Sequence, residues 1–287
     1  MKNTKIKRSV GQRVLFGIVF LILALHAFTL FFSVVWGFLS SLKTQKEFSL
    51  NSPLALPEAW KFFNYVEAFT VLEVRDWNLF GLIFNSLWYA GGGTFLNVTI
   101  SLFYAYMVVR YPCWITKFHH NWTLTMMMLS ISSGGGSMYR LLHYLGVLNS
   151  PLMLFAKLGP TTFAYLIFCA AWRGVAWDYA EAAKIDGAGH FTILFKVMIP
   201  QVLGVWGALF IMQFITMWND ATASMMYFPD WPTLATGLFE YESKMIRKVN
   251  MPVYFAGLMI AMVPVLTLFL LFQETIMEKV NLGGLKG

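Results

Sequence analysis

The chain has 287 residues, 58% of them hydrophobic and only 12% charged, with a net charge of +7. Soluble domains carry about 25% charged residues, so this composition excludes a water-soluble enzyme or receptor and points to an integral membrane protein. Cys113 and Cys169 stand far apart with no ligand cluster beside them, which excludes a disulfide scaffold and a cysteine metal site.

A helix needs about 20 mostly apolar residues to cross a bilayer. Six stretches qualify: 14–39, 80–109, 122–138, 151–172, 197–219 and 252–273. The fold class expected is therefore an all-α membrane protein of six transmembrane helices, with a basic N-terminus over 1–13 and a transmembrane domain over 14–287. No Lys, Arg, Asp or Glu falls between Val14 and Leu42. That run is longer than the roughly 7–15 apolar residues of a signal peptide, so it is read as an uncleaved span. An even count places both termini on one side. The segments assigned to that side (1–13, 110–120, 173–196 and the tail from Glu274) hold 12 Lys/Arg and 5 Asp/Glu, whereas the rest holds 9 and 9. The positive excess marks that side as cytoplasm. The cluster Lys2, Lys5, Lys7, Arg8 and Arg13 is read as a topology and lipid signal, not a nucleic-acid site.

Taken in order, the outer segment 43–77, with Pro53, Pro57, Trp60, Tyr65 and Trp77, reads as a folded cap with short helices. The second span carries Asn85, then Tyr89, Gly93, Asn97 and Ser101 at four-residue steps. Such a stripe faces either a polar passage or a neighbouring helix packed through small residues. His119 and His120 follow in the inner loop and are read as solvated. Met126, Met127 and Met128 suit gap-filling between helices, and the run Gly134–Gly136 lacks the Gly-Lys-Ser/Thr of a phosphate loop. Lys157, inside the fourth span, is placed where it can snorkel to headgroups.

The segment 173–196 breaks the apolar pattern. From Asp178 it reads as a short polar helix with Ala176, Ala180, Ala183 and Gly187 along one small-residue face, open to close approach by another backbone. Gly187 frees a turn; a second short segment then stops at Pro200, where the next helix starts. The fifth span carries Gln213, Thr216, Asn219 and Asp220 on or near one side, as a passage wall would, although Asn219 and Asp220 also suit a helix end. The outer loop 220–251 holds Tyr227, Trp231, Phe239 and Tyr241, with Glu240, Glu242, Lys244, Arg247 and Lys248 as charges for docking or for solvation.

Glu181-Ala182-Ala183, three residues, Gly187, nine residues and then Val197-Met198-Ile199-Pro200 resemble the EAA signature of bacterial ABC-importer permeases, and EAAKIDGA resembles their carbohydrate, maltose-type branch. Asn64-Tyr65, Asn85-Ser86, Ala105-Tyr106 with Arg110, Gly146–Ser150, Trp218-Asn219-Asp220 and the glycine-rich ending resemble further motifs of that family. The resemblance implies the type I permease fold with both termini cytoplasmic. It implies that Glu181, Ala182, Ala183, Asp186, Gly187 and Ala188 form a coupling site for an ATPase. It also implies a solute-binding protein that meets the outer loop around Tyr227, Trp231, Phe239 and Tyr241, and a passage lined from Asn85, Tyr89, Asn97, Gln213, Thr216, Asn219 and Asp220. The implied partners are a second related permease, two ATPase subunits holding ATP and magnesium, and the extracytoplasmic receptor. The chain itself would bind no cofactor and catalyse nothing. The cargo implied is a sugar or oligosaccharide, with a solute such as glycerol phosphate as the alternative. An ion-driven secondary transporter would need ionisable residues deep in the spans, and only His26 qualifies. No Ser/His/Asp set, metalloprotease motif or carboxylate pair supports a membrane-embedded enzyme.

Overall fold

The computed structural model describes residues 10–128, 134–156, 163–244 and 250–280. Lys2, Lys5, Lys7 and Arg8, Ser132 and Ser133, Lys157, Arg247 and Lys248, and the ending from Asn281 lie outside the described residues.

In chain order the helices are α1 (Val10–Ser41), α2 (Gln45–Leu50), α3 (Phe63–Val71), α4 (Leu79–Arg110), α5 (Trp114–Met128), α6 (Gly134–Tyr144), α7 (Met153–Ala156), α8 (Phe163–Gly174), α9 (Asp178–Ile185), α10 (His190–Trp218), α11 (Ala221–Tyr227), α12 (Leu234–Lys244) and α13 (Met251–Val280). Among the described residues the sole strand-like pairing is the bridge between Val74 and Trp77. Helix dominates because lipid offers backbone groups no hydrogen-bond partner, so each segment must satisfy its own. Among the described residues four helices, α1, α4, α10 and α13, are long and apolar enough to cross a membrane.

The described parts of the expected third and fourth stretches are largely helical, in α5 and α6 and in α7 and α8, and the inner loop before them is corrected. Helix α5 starts at Trp114, so His119 and His120 are helical rather than in a solvated loop. His120 Nδ1 lies 2.7 Å from the Tyr165 hydroxyl, and the His119 ring packs edge-on to Tyr104 at 5.4 Å. Gly134–Gly136 opens helix α6. Pro200 is a further correction: it does not begin a new helix. Helix α10 runs through it from His190, with a π-helical turn at Ile193–Met198 immediately before. Proline cannot donate to the preceding turn, and a π-turn shifts the hydrogen-bond register where the α ladder fails. A second π-turn, Leu87–Gly92, lies in α4 beside the three glycines.

The chain divides into two compact units. The first comprises, among the described residues, 10–68 and 250–260. Here a knot of polar contacts closes the end of α1. Asn64 donates to the carbonyls of Ser41 and Lys43 at 2.7 and 2.8 Å, and the Tyr65 hydroxyl meets Ser41 Oγ at 2.8 Å. Thr44 and Glu47 form a capping box on α2. Hydrogen bonds from the Thr44 and Ala59 backbone hold the Glu47 carboxyl below its usual pKa. Trp36 packs edge-on to Phe255 at 5.2 Å, joining α1 to the start of α13.

The second unit comprises the described residues within 69–244 and 261–280. Its main core joins α4, α8, α9 and α10 through Val98, Leu102, Phe168, Trp172, Ala180 and Met198. The Trp172 indole donates to the Leu102 carbonyl at 3.1 Å, and that of Trp206 to Thr99 at 3.2 Å. A second core gathers Tyr89, Leu142, Met153, Ala223, Tyr227 and Phe228.

Candidate functional site

The elbow around α9 is built by its ends. Gly187 has φ +81°, the left-handed region that glycine enters without strain. Gly187 donates to the Lys184 carbonyl at 3.1 Å and Ala188 to that of Ala183 at 3.0 Å. These two bonds are the Schellman pattern that satisfies orphan carbonyls at a helix end. Asp178 and Glu181 occupy the first turn and Lys184 the last, each complementing the helix dipole.

The alanine face has a different role from the one its spacing suggests. Ala180 is buried, and Ala183 and Ala188 pack on the main core, so these small side chains admit the chain's own helix α10. The opposite face is open: Glu181, Ala182, Asp186 and Gly187 are exposed. Three apolar residues are exposed with them, Tyr179 at 56%, Ile185 at 86% and Phe191 at 79%. Sequence motifs passed over these three. Their signal was apolar side chains set among charges outside the spans.

Arg110, the last residue of α4, grips the elbow. Its guanidinium donates to the Trp172 carbonyl at 2.6 Å and to the Val175 carbonyl. It also lies 5.2 Å from the ring centroid of Trp177, the residue that precedes α9. An arginine can do this because its planar fork offers several donors and an apolar face for stacking.

The two polar stripes have separate fates. On α4, Tyr89, Gly93, Asn97 and Ser101 are all buried within the chain. A Cβ on Gly93 would fall 2.5 Å from Met217 Cε and 3.3 Å from Leu154, so this stripe is a packing face. Asn85 is also buried and donates to the Pro232 carbonyl at 3.1 Å, while Ser86 accepts from the Leu234 backbone at 2.7 Å. On α10, Thr216 and Asn219 are exposed and Gln213 is half-buried. Asp220 leaves the stripe to cap α11, accepting from Ala223 N–H at 2.9 Å and from the Tyr89 hydroxyl at 3.4 Å.

The outer-loop candidates divide as well. Tyr227 and Tyr241 are buried, Trp231 is half-buried and Phe239 is exposed. Glu240 is buried and pairs with Arg75 at 2.7 Å, so it is not a surface docking charge. Asn149, with φ 56°, exchanges hydrogen bonds with Asp230 and donates its own N–H to the Tyr227 carbonyl at 2.8 Å. Trp77 donates to the Asp230 carbonyl at 2.9 Å. Most of the loop is thus tied to its own chain.

No protein-family model matches the chain. It is 27% identical over 269 residues to the diacetylchitobiose uptake system permease protein NgcG of Streptomyces coelicolor, covering 90% of this chain and 87% of that one. It is 27% identical over 261 residues to the sulfoquinovosyl glycerol transport system permease protein SmoH of Agrobacterium fabrum, covering 89% of each. It is 24% identical over 268 residues to the arabinooligosaccharides transport system permease protein AraQ of Halalkalibacterium halodurans, covering 92% and 94%. Among solved structures it superposes with TM-score 0.76 and 17% identity on a chain of a bacterial ABC transporter involved in the import of the acidic polysaccharide alginate, covering 93% of this chain and 98% of that one.

Fold and similarity agree on a class. This is an all-α, multi-pass protein of the cytoplasmic membrane with the fold of an ABC-importer subunit. Within that class its sequence relatives are permeases of sugar and oligosaccharide transport systems.

Proposed function

We propose that this chain is one permease subunit of an ABC importer for a sugar or oligosaccharide. It would pair with a second, related permease, with two ATPase subunits that hold ATP and magnesium, and with an extracytoplasmic solute-binding protein. The chain contributes no catalytic group. Six spans are proposed, the third and fourth built from α5 with α6 and from α7 with α8.

The observation that carries this reading is the elbow. One side of α9 is fixed to the membrane helices, and the other bears Tyr179, Glu181, Ile185 and Asp186 without cover. Aromatic and aliphatic anchors ringed by charge suit a groove on a soluble protein. In the proposed cycle, closure of the ATPase pair displaces α9 as a rigid body. Arg110 carries that displacement to α8 and α4 together. Helix α10 leaves the elbow beyond Gly187 and turns its Gln213, Thr216 and Asn219 stripe toward a passage that the second permease completes. The cargoes named for the relatives support a glycan.

Ile185→Cys tests the contact. In a Cys113→Ser background, and in membranes holding the assembled transporter, a thiol-attached photoreactive reagent on the introduced cysteine is expected to join it to an ATPase subunit, and ATP is expected to change the yield. Failure to cross-link, together with uptake that survives inactivation of every ATPase partner, would sink the proposal.

A further inference from the structure

The segment that closes α1 is built inside out. Asn64, Lys43, Ser40 and Ser41 are at most 2% exposed. Lys43 Nζ turns inward to the Pro53 carbonyl at 3.2 Å, and Trp36 donates to the same carbonyl at 2.9 Å. Backbone groups are also closed internally, with Lys61 N–H on the Leu42 carbonyl at 2.8 Å and Ala55 N–H on that of Ser52 at 2.9 Å. The apolar side chains point the other way: Leu50, Leu54, Leu56, Trp60, Phe62 and Phe63 are 53–72% exposed. Lys46 and Glu58 remain exposed beside them, but so much uncovered apolar area is unfavourable in water.

The cap's depth is set by its attachment. Helix α1 has 32 residues. At about 1.5 Å per residue it spans roughly 48 Å, more than a hydrocarbon core of about 30 Å. Its Ser41 end therefore reaches the headgroup layer, and the cap is stapled to that end by Asn64 and Tyr65. None of the most apolar window of α1 is buried in the chain, and nearer the cap Phe38 is 43% exposed. Tryptophan on the cap suits the aromatic belt of the interface, and phenylalanine and leucine suit the lipid-facing side of an interfacial segment.

We infer that residues 50–63 form an interfacial anchor, lying in the headgroup–acyl boundary with Leu50, Leu54, Leu56, Trp60, Phe62 and Phe63 in lipid. The occupant of this patch is the bilayer, not a protein. The inference rests on the membrane location of the chain and is independent of the ATPase reading. Its consequence is mechanical: the cap fixes the Ser41 end of α1 at one depth, so α1 can tilt but cannot slide.

The test places nitroxides on the full-length chain, purified with its native partners and reconstituted in phosphatidylethanolamine–phosphatidylglycerol vesicles. Cys113→Ser and Cys169→Ala form the background, and Leu54→Cys, Trp60→Cys, Phe62→Cys and the control Lys46→Cys are labelled singly. Collisions with oxygen are expected to exceed those with a water-soluble nickel chelate at the first three positions, and the order is expected to reverse at Lys46. Dominant nickel collisions at those three positions would put the cap in water. Exclusion of both reagents would put it under a protein, such as a second permease. Either result overturns the inference. Unsubstituted chain in vesicles doped with a carbene-generating phospholipid gives a second measure. Adducts are expected on peptides covering 50–63, and adducts on α1 without them would overturn the anchor.

Discussion

Helix α4 carries Tyr89, Gly93, Asn97 and Ser101 at four-residue steps, and helix α10 carries Gln213, Thr216 and Asn219 at three-residue steps. Both helices contain a π-turn, and both are long enough to cross a membrane. The α4 stripe is closed by its own chain, against Met217 and Leu154. The α10 stripe keeps Thr216 and Asn219 uncovered. Polar residues at spaced positions therefore have two uses in one membrane protein. On a covered face, as around Gly93, they let helices meet closely; on an open face, as at Thr216 and Asn219, they await a partner, water or cargo. The same contrast divides the elbow, where Ala180 faces inward and Ile185 faces out.

The largest effect is expected where α10 departs from the elbow. Gly187→Val forces a left-handed backbone on a β-branched residue, at about 1–2 kcal/mol, while its side chain enters open space. Uptake into vesicles is expected to collapse while the subunit remains in the membrane with its partners. Normal uptake would detach α10 from the elbow's function. Next comes Arg110→Ala at the corresponding end of α4. It deprives the Trp172 and Val175 carbonyls of a charged donor, a loss of about 1.5–3 kcal/mol. Thermal stability in detergent should fall, and ATPase activity should lose its dependence on cargo. Arg110→Lys is expected to restore part of the stability, because a lysine reaches one carbonyl but lacks the fork.

Two smaller substitutions set the stripes against each other. Gly93→Val on the closed stripe overpacks Met217, which costs about 1–3 kcal/mol, so folded protein is expected to fall and transport per folded molecule to hold. Gln213→Leu on the open stripe is expected to change stability by about 0.5 kcal/mol or less, yet to slow uptake per folded molecule. If the two results were exchanged, the assignment of closed and open faces would be wrong.

Much of this was legible from residues alone. Apolar run length located the helices that became α1, α4, α10 and α13, because the bilayer imposes a length that no soluble core does. The Asp178–Gly187 helix and its glycine turn were legible because cap chemistry is local. The burial of Tyr227, Tyr241 and Glu240 was not, since their partners lie far along the chain: Glu240 meets Arg75, and Tyr227 bonds to Asn149. Nor was the continuity of α10 through Pro200, because a π-turn leaves no compositional mark. Asn64 and Tyr65 stood out only as a family motif; their staple on Ser41 explains why an amide and a phenol are used there.

The sequence by itself determined that this protein lives in a bilayer, which runs are long and apolar enough to cross it, and that a charged elbow interrupts them, because hydrophobic length and helix caps are local quantities. Which face of each helix is covered was decided only by tertiary packing. Periodicity says that residues share a side, but what stands opposite that side depends on helices brought together from distant parts of the chain.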